Sequence, residues 1–264
     1  MRLFDCHVHM ADIRLQSDFD GVLERMKANN VRGCMVICDP GDLEPDHEKA
    51  IELVRMHPEF VLSVACHPQN ALHYCEKTEE IICSTAVLPF LKCIGETGLD
   101  CYDNASTREQ QLFALERQID MALEFSLPVQ LHVRNAHGEM CDILRRRKKE
   151  HRLPLCVVHC FTRSSELAKE YLRLGCYISV GGPVTYTNAN KLLTAVKEIP
   201  LDRLLIETDS PWVAPEPYKG QICEPSFITS TFDKVAELKE MEKEELSEIL
   251  WNNAVRVFRL SDNI

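Results

Sequence analysis

Eight short apolar or β-branched runs, each followed by a stretch of helical periodicity, occur in one undivided chain of 264 residues. The runs cover 2–9, 33–39, 60–67, 92–98, 128–134, 155–161, 176–182 and 203–209. Helices are expected at 18–29, 46–56, 76–91, 107–125, 136–150, 164–174 and 188–198, with two more in the tail from 226 to 258. Strands alternating with helices predict a parallel sheet, because each helix carries the chain back to start the next strand in the same direction. Eight such units in a chain of this length point to one α/β domain over 1–264, a (β/α)8 TIM barrel with extra C-terminal helices. An open doubly wound sheet would need a glycine-rich phosphate loop after its first strand, and "HVHMADIR" offers none.

Composition narrows the function classes. The balance of 45% hydrophobic and 27% charged residues is that of a soluble globular protein. A net charge of −11 is the opposite of a duplex binder's basic footprint. A nucleic-acid substrate would therefore have to be held locally, by few phosphates. No run approaches the length of a membrane span and no apolar leader opens the chain. Thirteen cysteines without a C-x-x-C pair, among them Cys34, Cys38, Cys93, Cys156 and Cys176 in apolar runs, read as reduced core residues of a cytoplasmic protein. No obligatory protein partner is evident.

The stretch "FDCHVHM" at 4–10 places two imidazoles one residue apart. Alternation in a strand would put His7 and His9 on one face with Asp5, and turn Cys6, Val8 and Met10 towards the helices. In a barrel that first face ends at the C-terminal mouth, where barrel enzymes keep their chemistry. Matching residues close other runs: Glu96 in "IGETGLD", His132 in "VQLHVR", His159 in "CVVHCF" and Asp209 in "LLIETDSP". Their steps along the chain are whole βα units, so all six fall at one level. Four imidazoles and two carboxylates exceed the needs of one tetrahedral ion. Two divalent cations bridged by a carboxylate would use them all. His7, His9 and Asp209 are assigned to one, His132 and His159 to the other, and Glu96 to both. The donor set accepts Mg2+, Mn2+ or Zn2+. Asp209 is expected to take the proton from the attacking water and Glu96 to position the pair.

Three further residues face the same mouth. His67, in "ACHPQN", could meet substrate or support a ligand. Arg134, two residues after His132, could meet a phosphate oxygen or pair internally with Glu207. Glu207, two before Asp209, could orient a histidine. The cationic "RRRKKEHR" at 145–152 belongs at the end of a helix on the opposite, bottom face, where it complements the helix dipole.

"DCHVH", "GETGLD", "HVR", "VHCF" and "PLDRLLIETDSP" together resemble the successive motifs of the TatD-like metal-dependent hydrolases, from residue 5 to about 258. The resemblance implies a barrel with two divalent cations on the six residues named above, and hydrolysis of phosphodiesters in DNA, read here as removal of residues from single-stranded 3′ ends. A small-molecule amidohydrolase or esterase using the same metal pair is the alternative. Departures fall in the substrate loops: "ACHPQN" lacks the family's second histidine, Thr162–Arg163 follow "VHCF", and Cys223 stands where Asn is usual.

Overall fold

The structure, a computed structural model, describes residues 1–42, 46–102 and 105–261. The chain runs β1 (Leu3–Val8), α1 (Ile13–Gln16), α2 (Phe19–Ala28), β2 (Val31–Cys38), α3 (His47–Met56), β3 (Phe60–Val64), α4 (Glu76–Ala86) and β4 (Leu91–Asp100). It continues with α5 (Arg108–Glu124), β5 (Val129–Arg134), α6 (His137–Lys149), β6 (Cys156–Val158), α7 (Ser165–Leu174), β7 (Tyr177–Val180), α8 (Asn190–Glu198), β8 (Leu204–Ile206), α9 (Ile228–Lys239) and α10 (Lys243–Phe258). The strands lie side by side in sequence order, every neighbouring pair parallel. This is the expected (β/α)8 barrel.

Closure between β8 and β1 is made at the mouth. Val8 bridges Ser210, the His9 amide donates to Ser210 O at 2.8 Å, and the Asp209 amide to His7 O at 3.0 Å. Just below, the buried Asp5 carboxylate ties the two edges together by accepting from the Thr208 amide (2.9 Å) and hydroxyl (2.6 Å). An unpaired sheet edge would leave backbone groups exposed; here a side chain completes the seam.

Local chemistry explains the element ends. Thr107 opens α5 with a reciprocal capping box: its hydroxyl accepts from the Gln110 amide and Gln110 Oε1 accepts from the Thr107 amide at 2.8 Å. Gly175, at φ 95°, ends α7 in the left-handed region that favours glycine. The helix expected to reach 91 stops at Ala86, because Pro89 disfavours helical geometry in the residue before it and Leu91 already pairs with β3. The single turn α1 was not foreseen. Its cap is Asp12, which accepts from the Arg14 amide at 2.8 Å.

The barrel axis changes character from bottom to top. Its floor is apolar: Phe4, Met35, Val61, Cys93, Val157, Tyr177 and Leu205 pack together, sealed from below by Trp251 and Phe258 of α10. Each such large side chain contributes about 1.5–3 kcal/mol on leaving water. α10 is pinned at the strand beginnings, Asn253 donating to the carbonyls of Leu201 (2.6 Å) and Leu204 (2.9 Å). Above the floor sit buried Ser63, Gln130, Ser179 and Glu207. Ionisable groups crowd the mouth. The helix layer buries the opposite strand faces, as in Val36, Leu62, Leu131, Ile178 and Ile206.

Candidate metal centre

Two strand irregularities aim the chemistry at the mouth. Between Asp5 and Val8 the β1–β2 register advances three residues against two, from Cys34 to Val36. Such a bulge reverses the alternation. Cys6 therefore joins Phe4 in the barrel interior rather than the helix layer, and His7 follows it inward while Val8 and Met10 face the helices. Asp5 lies on the seam with β8, not beneath the histidines. β4 repeats the device: Ile94 and Thr97 face Val129 and Leu131, so that one extra residue, Glu96, enters the interior. Gly98 lets β4 pass close to β5. At φ 156°, a Cβ there would lie 1.9 Å from His132 O.

The six expected residues meet. Glu96, 5% exposed, divides its carboxylate. Oε2 lies 3.3 Å from His7 Nε2 and 3.8 Å from His9 Nε2. Oε1 lies 2.5 Å from His132 Nδ1 and 2.6 Å from His159 Nε2. Asp209 Oδ1 stands 3.6 Å from His7 Nε2 and 3.8 Å from His9 Nε2. Candidate ligand atoms of His7, His9 and Glu96, of His7, His159 and Asp209, and of His67, Glu96 and His132 lie within 4.8 Å of one another in each group.

Surrounding polar groups select which ring nitrogen is free. Gln130 Oε1 lies 3.0 Å from His7 Nδ1, which must then carry the proton and leave Nε2 a lone pair. Asp100 Oδ2 takes His132 Nε2 at 3.1 Å, freeing Nδ1. Glu207 Oε1 stands 3.4 Å from His159 Nδ1, leaving Nε2 towards Glu96. His67 is the reverse case. Its Nδ1 accepts from the Gln69 amide at 3.2 Å, so Nε2, 3.5 Å from Glu96 Oε1, is a donor in the neutral ring. That suits contact with a carboxylate or phosphate oxygen, not ligation.

Charge is tightly coupled here. Burial would raise the Glu96 carboxyl, but His159, His67 and His7 outweigh it and hold it well below the carboxylate range. Burial raises the Asp209 carboxyl, against the opposing pull of His7 and His159. Burial, with His7 beside it, pushes His9 down to about 3 and keeps that ring neutral. Burial would lower His132 and His159, but Asp100 and Glu96 outweigh it at His132, and Glu96 and Glu207 at His159, so both rings are raised.

The cleft above these groups has a volume of about 790 Å³. Arg134 lines it as expected, with its guanidinium 3.7 Å over the Tyr102 ring. It does not pair with Glu207, which is fully buried and accepts from the Cys160 amide at 2.5 Å. The cationic stretch at the end of α6 is an ion-pair seam between helices, Arg147 bonding Asp120 and Glu116, and Arg152 bonding Asp120. Gln130, Asp100 and Trp212 were not singled out in the sequence. Gln130 shares the face of His132 and Asp100 ends "GETGLD", but neither residue type announces the support of a ligand. The cysteines of the described residues are unpaired, most of them buried.

The sequence model for TatD-related DNases matches residues 4–259. The chain belongs to this family. Over 98% of its length it is 36% identical to the whole of YabD, an uncharacterized metal-dependent hydrolase of Bacillus subtilis. It is 33% identical to the 3′-5′ ssDNA/RNA exonuclease TatD of Erwinia tasmaniensis, covering 98% of this chain and 100% of that one. The crystal structure of YjjV, a TatD homologue from Escherichia coli, superposes with a TM-score of 0.91 at 26% identity, over 98% of this chain and 99% of that one. This member of the TatD family is thus a metal-dependent hydrolase built on the family's barrel. Among the described residues no helix is long and apolar enough to cross a membrane.

Proposed function

We propose that this chain is a deoxyribonuclease that holds two divalent cations and removes nucleotides from the 3′ ends of single-stranded DNA. The placement of Glu96 carries the reading: its two oxygens face two different sets of imidazoles, as a bridging carboxylate requires. His7, His9 and Asp209 would hold one cation, His132 and His159 the other, and Glu96 both; Mg2+, Mn2+ and Zn2+ all suit the mixed donors. Such a pair, when bound, lowers the pKa of a water and offsets charge on the phosphate. The chain's residues do the rest. Asp209, its side chain 16% exposed at the cleft wall, has a second oxygen available to accept the proton. His67 Nε2–H and Arg134 would hold phosphate oxygens. Gln130, Asp100 and Glu207 keep the rings in the required tautomers. That the Erwinia tasmaniensis relative is a 3′-5′ ssDNA/RNA exonuclease supports the substrate class. Unpaired cysteines suit a reducing cytoplasm.

The test is metal depletion, readdition of Mg2+, Mn2+ or Zn2+ separately, and a panel of end-labelled oligonucleotides, carboxylic esters and amides. Metal-restored shortening from 3′ ends is expected, with Asp209→Asn lowering turnover at least ~100-fold. Cleavage of amides or carboxylic esters alone would assign the site to small-molecule hydrolysis. Oligonucleotide cleavage that survives chelation would end the metal mechanism.

A further inference from the structure

Beyond the groups that would hold the reacting phosphate, the cleft offers a polyanion little purchase. Besides the candidate ligands, its walls carry Asp12, Asp39, Asp42, Asp46 and Asp100, and among the described lining residues Arg134 is the one permanent cation. A nucleic acid held here by successive phosphates would meet carboxylates. Grip beyond the reacting phosphate must come from its uncharged parts.

One wall offers such a grip. Trp212 lines the cleft with 44% of its surface exposed. Its indole stands perpendicular to the His9 ring, centroids 4.6 Å apart. The Arg14 guanidinium lies 4.7 Å over the indole. Arg14 is itself fixed by Asp12, Nε to Oδ1 at 2.9 Å and Nη2 to Oδ2 at 2.7 Å. Ile13 beside it is 77% exposed. A single exposed apolar side chain needs no explanation, but Trp212 is held in place by His9 and by a clamped arginine. Through its contact with His9 it adjoins one of the residues that would hold a cation. Aromatic rings and guanidinium planes both stack on nucleobases, whatever the sequence.

We infer that Trp212, backed by Arg14, is the stacking platform for the nucleobase attached to the phosphate being cleaved. The inference rests on the nuclease reading above and adds the subsite that recognises a base. It assigns Trp212 to positioning, apart from the cation ligands.

The test compares two end-labelled oligonucleotides that differ only in the 3′-terminal residue, one with its base and one abasic. The ratio of kcat/KM for the two is taken within each variant, so damage to His9 cancels. Wild type should favour the base-bearing end about tenfold, carried mainly by KM. Trp212→Ala should bring the ratio to within about twofold of one, and Trp212→Phe should keep most of it. A ratio near one in wild type, or one that survives Trp212→Ala, overturns the platform and leaves the nuclease reading standing. Hydrolysis of bis(p-nitrophenyl) phosphate with neither oligonucleotide cleaved overturns both.

Discussion

Gln130 Oε1 stands 3.0 Å from Nδ1 of His7, while the amide nitrogen of the same side chain donates to Cys6 O at 2.9 Å. The second bond fixes the amide's orientation, and that orientation fixes the proton on His7. Gln130→Leu keeps the volume and removes both bonds. It should weaken cation binding about 10- to 100-fold, measured by titration calorimetry on metal-depleted protein. Wild-type affinity in the variant would mean that His7 finds its tautomer without help.

Gly98 carries a backbone demand that alanine cannot meet, with His132 O 1.9 Å from the position of a Cβ. β4 and β5 pair at these two residues. Gly98→Ala should cost about 3 kcal/mol or prevent soluble folding. Denaturant midpoints decide it. A change within 0.5 kcal/mol would show that the strands separate freely there.

His137 sits beside the mouth with Nδ1 on the Tyr171 hydroxyl (2.9 Å) and Nε2 accepting from Arg163 Nε (3.1 Å). Burial first, then the charges of Arg163 and His132, push it down to about 4. The folded chain thus refuses a proton that the unfolded chain accepts near 6.5. The stability from this group is complete above pH 6.5 and is lost as pH falls towards 4. Discounted for the ring's partial solvation, the loss is roughly 2 kcal/mol. His137→Gln should flatten the acid limb of the stability curve by that amount. An unchanged slope between pH 6.5 and 4 would place the proton uptake elsewhere.

Few phosphate contacts imply weak salt dependence. Each neutralised phosphate of a single strand contributes about −0.7 to the slope of log K against log salt. With the reacting phosphate and Arg134 as the phosphate contacts, binding of a phosphorothioate-ended oligonucleotide should give a slope shallower than about −1.5. Fluorescence anisotropy at graded salt measures it. A slope near −4 would reveal a basic track that the acidic walls do not predict.

Much of the site is legible in the sequence because barrel chemistry is periodic. His132 and His159 close their strands one βα unit apart, and Glu96 and Asp209 close theirs at the same level. The parity of Cys6 was misjudged for a physical reason. A bulge is a relation between two strands, and nothing within "FDCHVHM" records that β2 advances one residue fewer. Gln130 and Asp100 escaped for another reason: a neutral amide and a carboxylate have many uses, and only their distances of 3.0 Å and 3.1 Å to ring nitrogens give them this one. Trp212 escaped as well, because only the Arg14 guanidinium and the His9 ring around it mark it out.

The packing of α10 against the strand beginnings has a consequence for traffic. With Trp251 and Phe258 stoppering the far end, the barrel is a blind well rather than a tunnel. Whatever is severed at the top must retreat through the opening by which it arrived. For the proposed exonuclease this means that a strand would not be threaded onward: each excised residue would have to vacate the well before the next descends, and departure rather than bond breaking would set the pace.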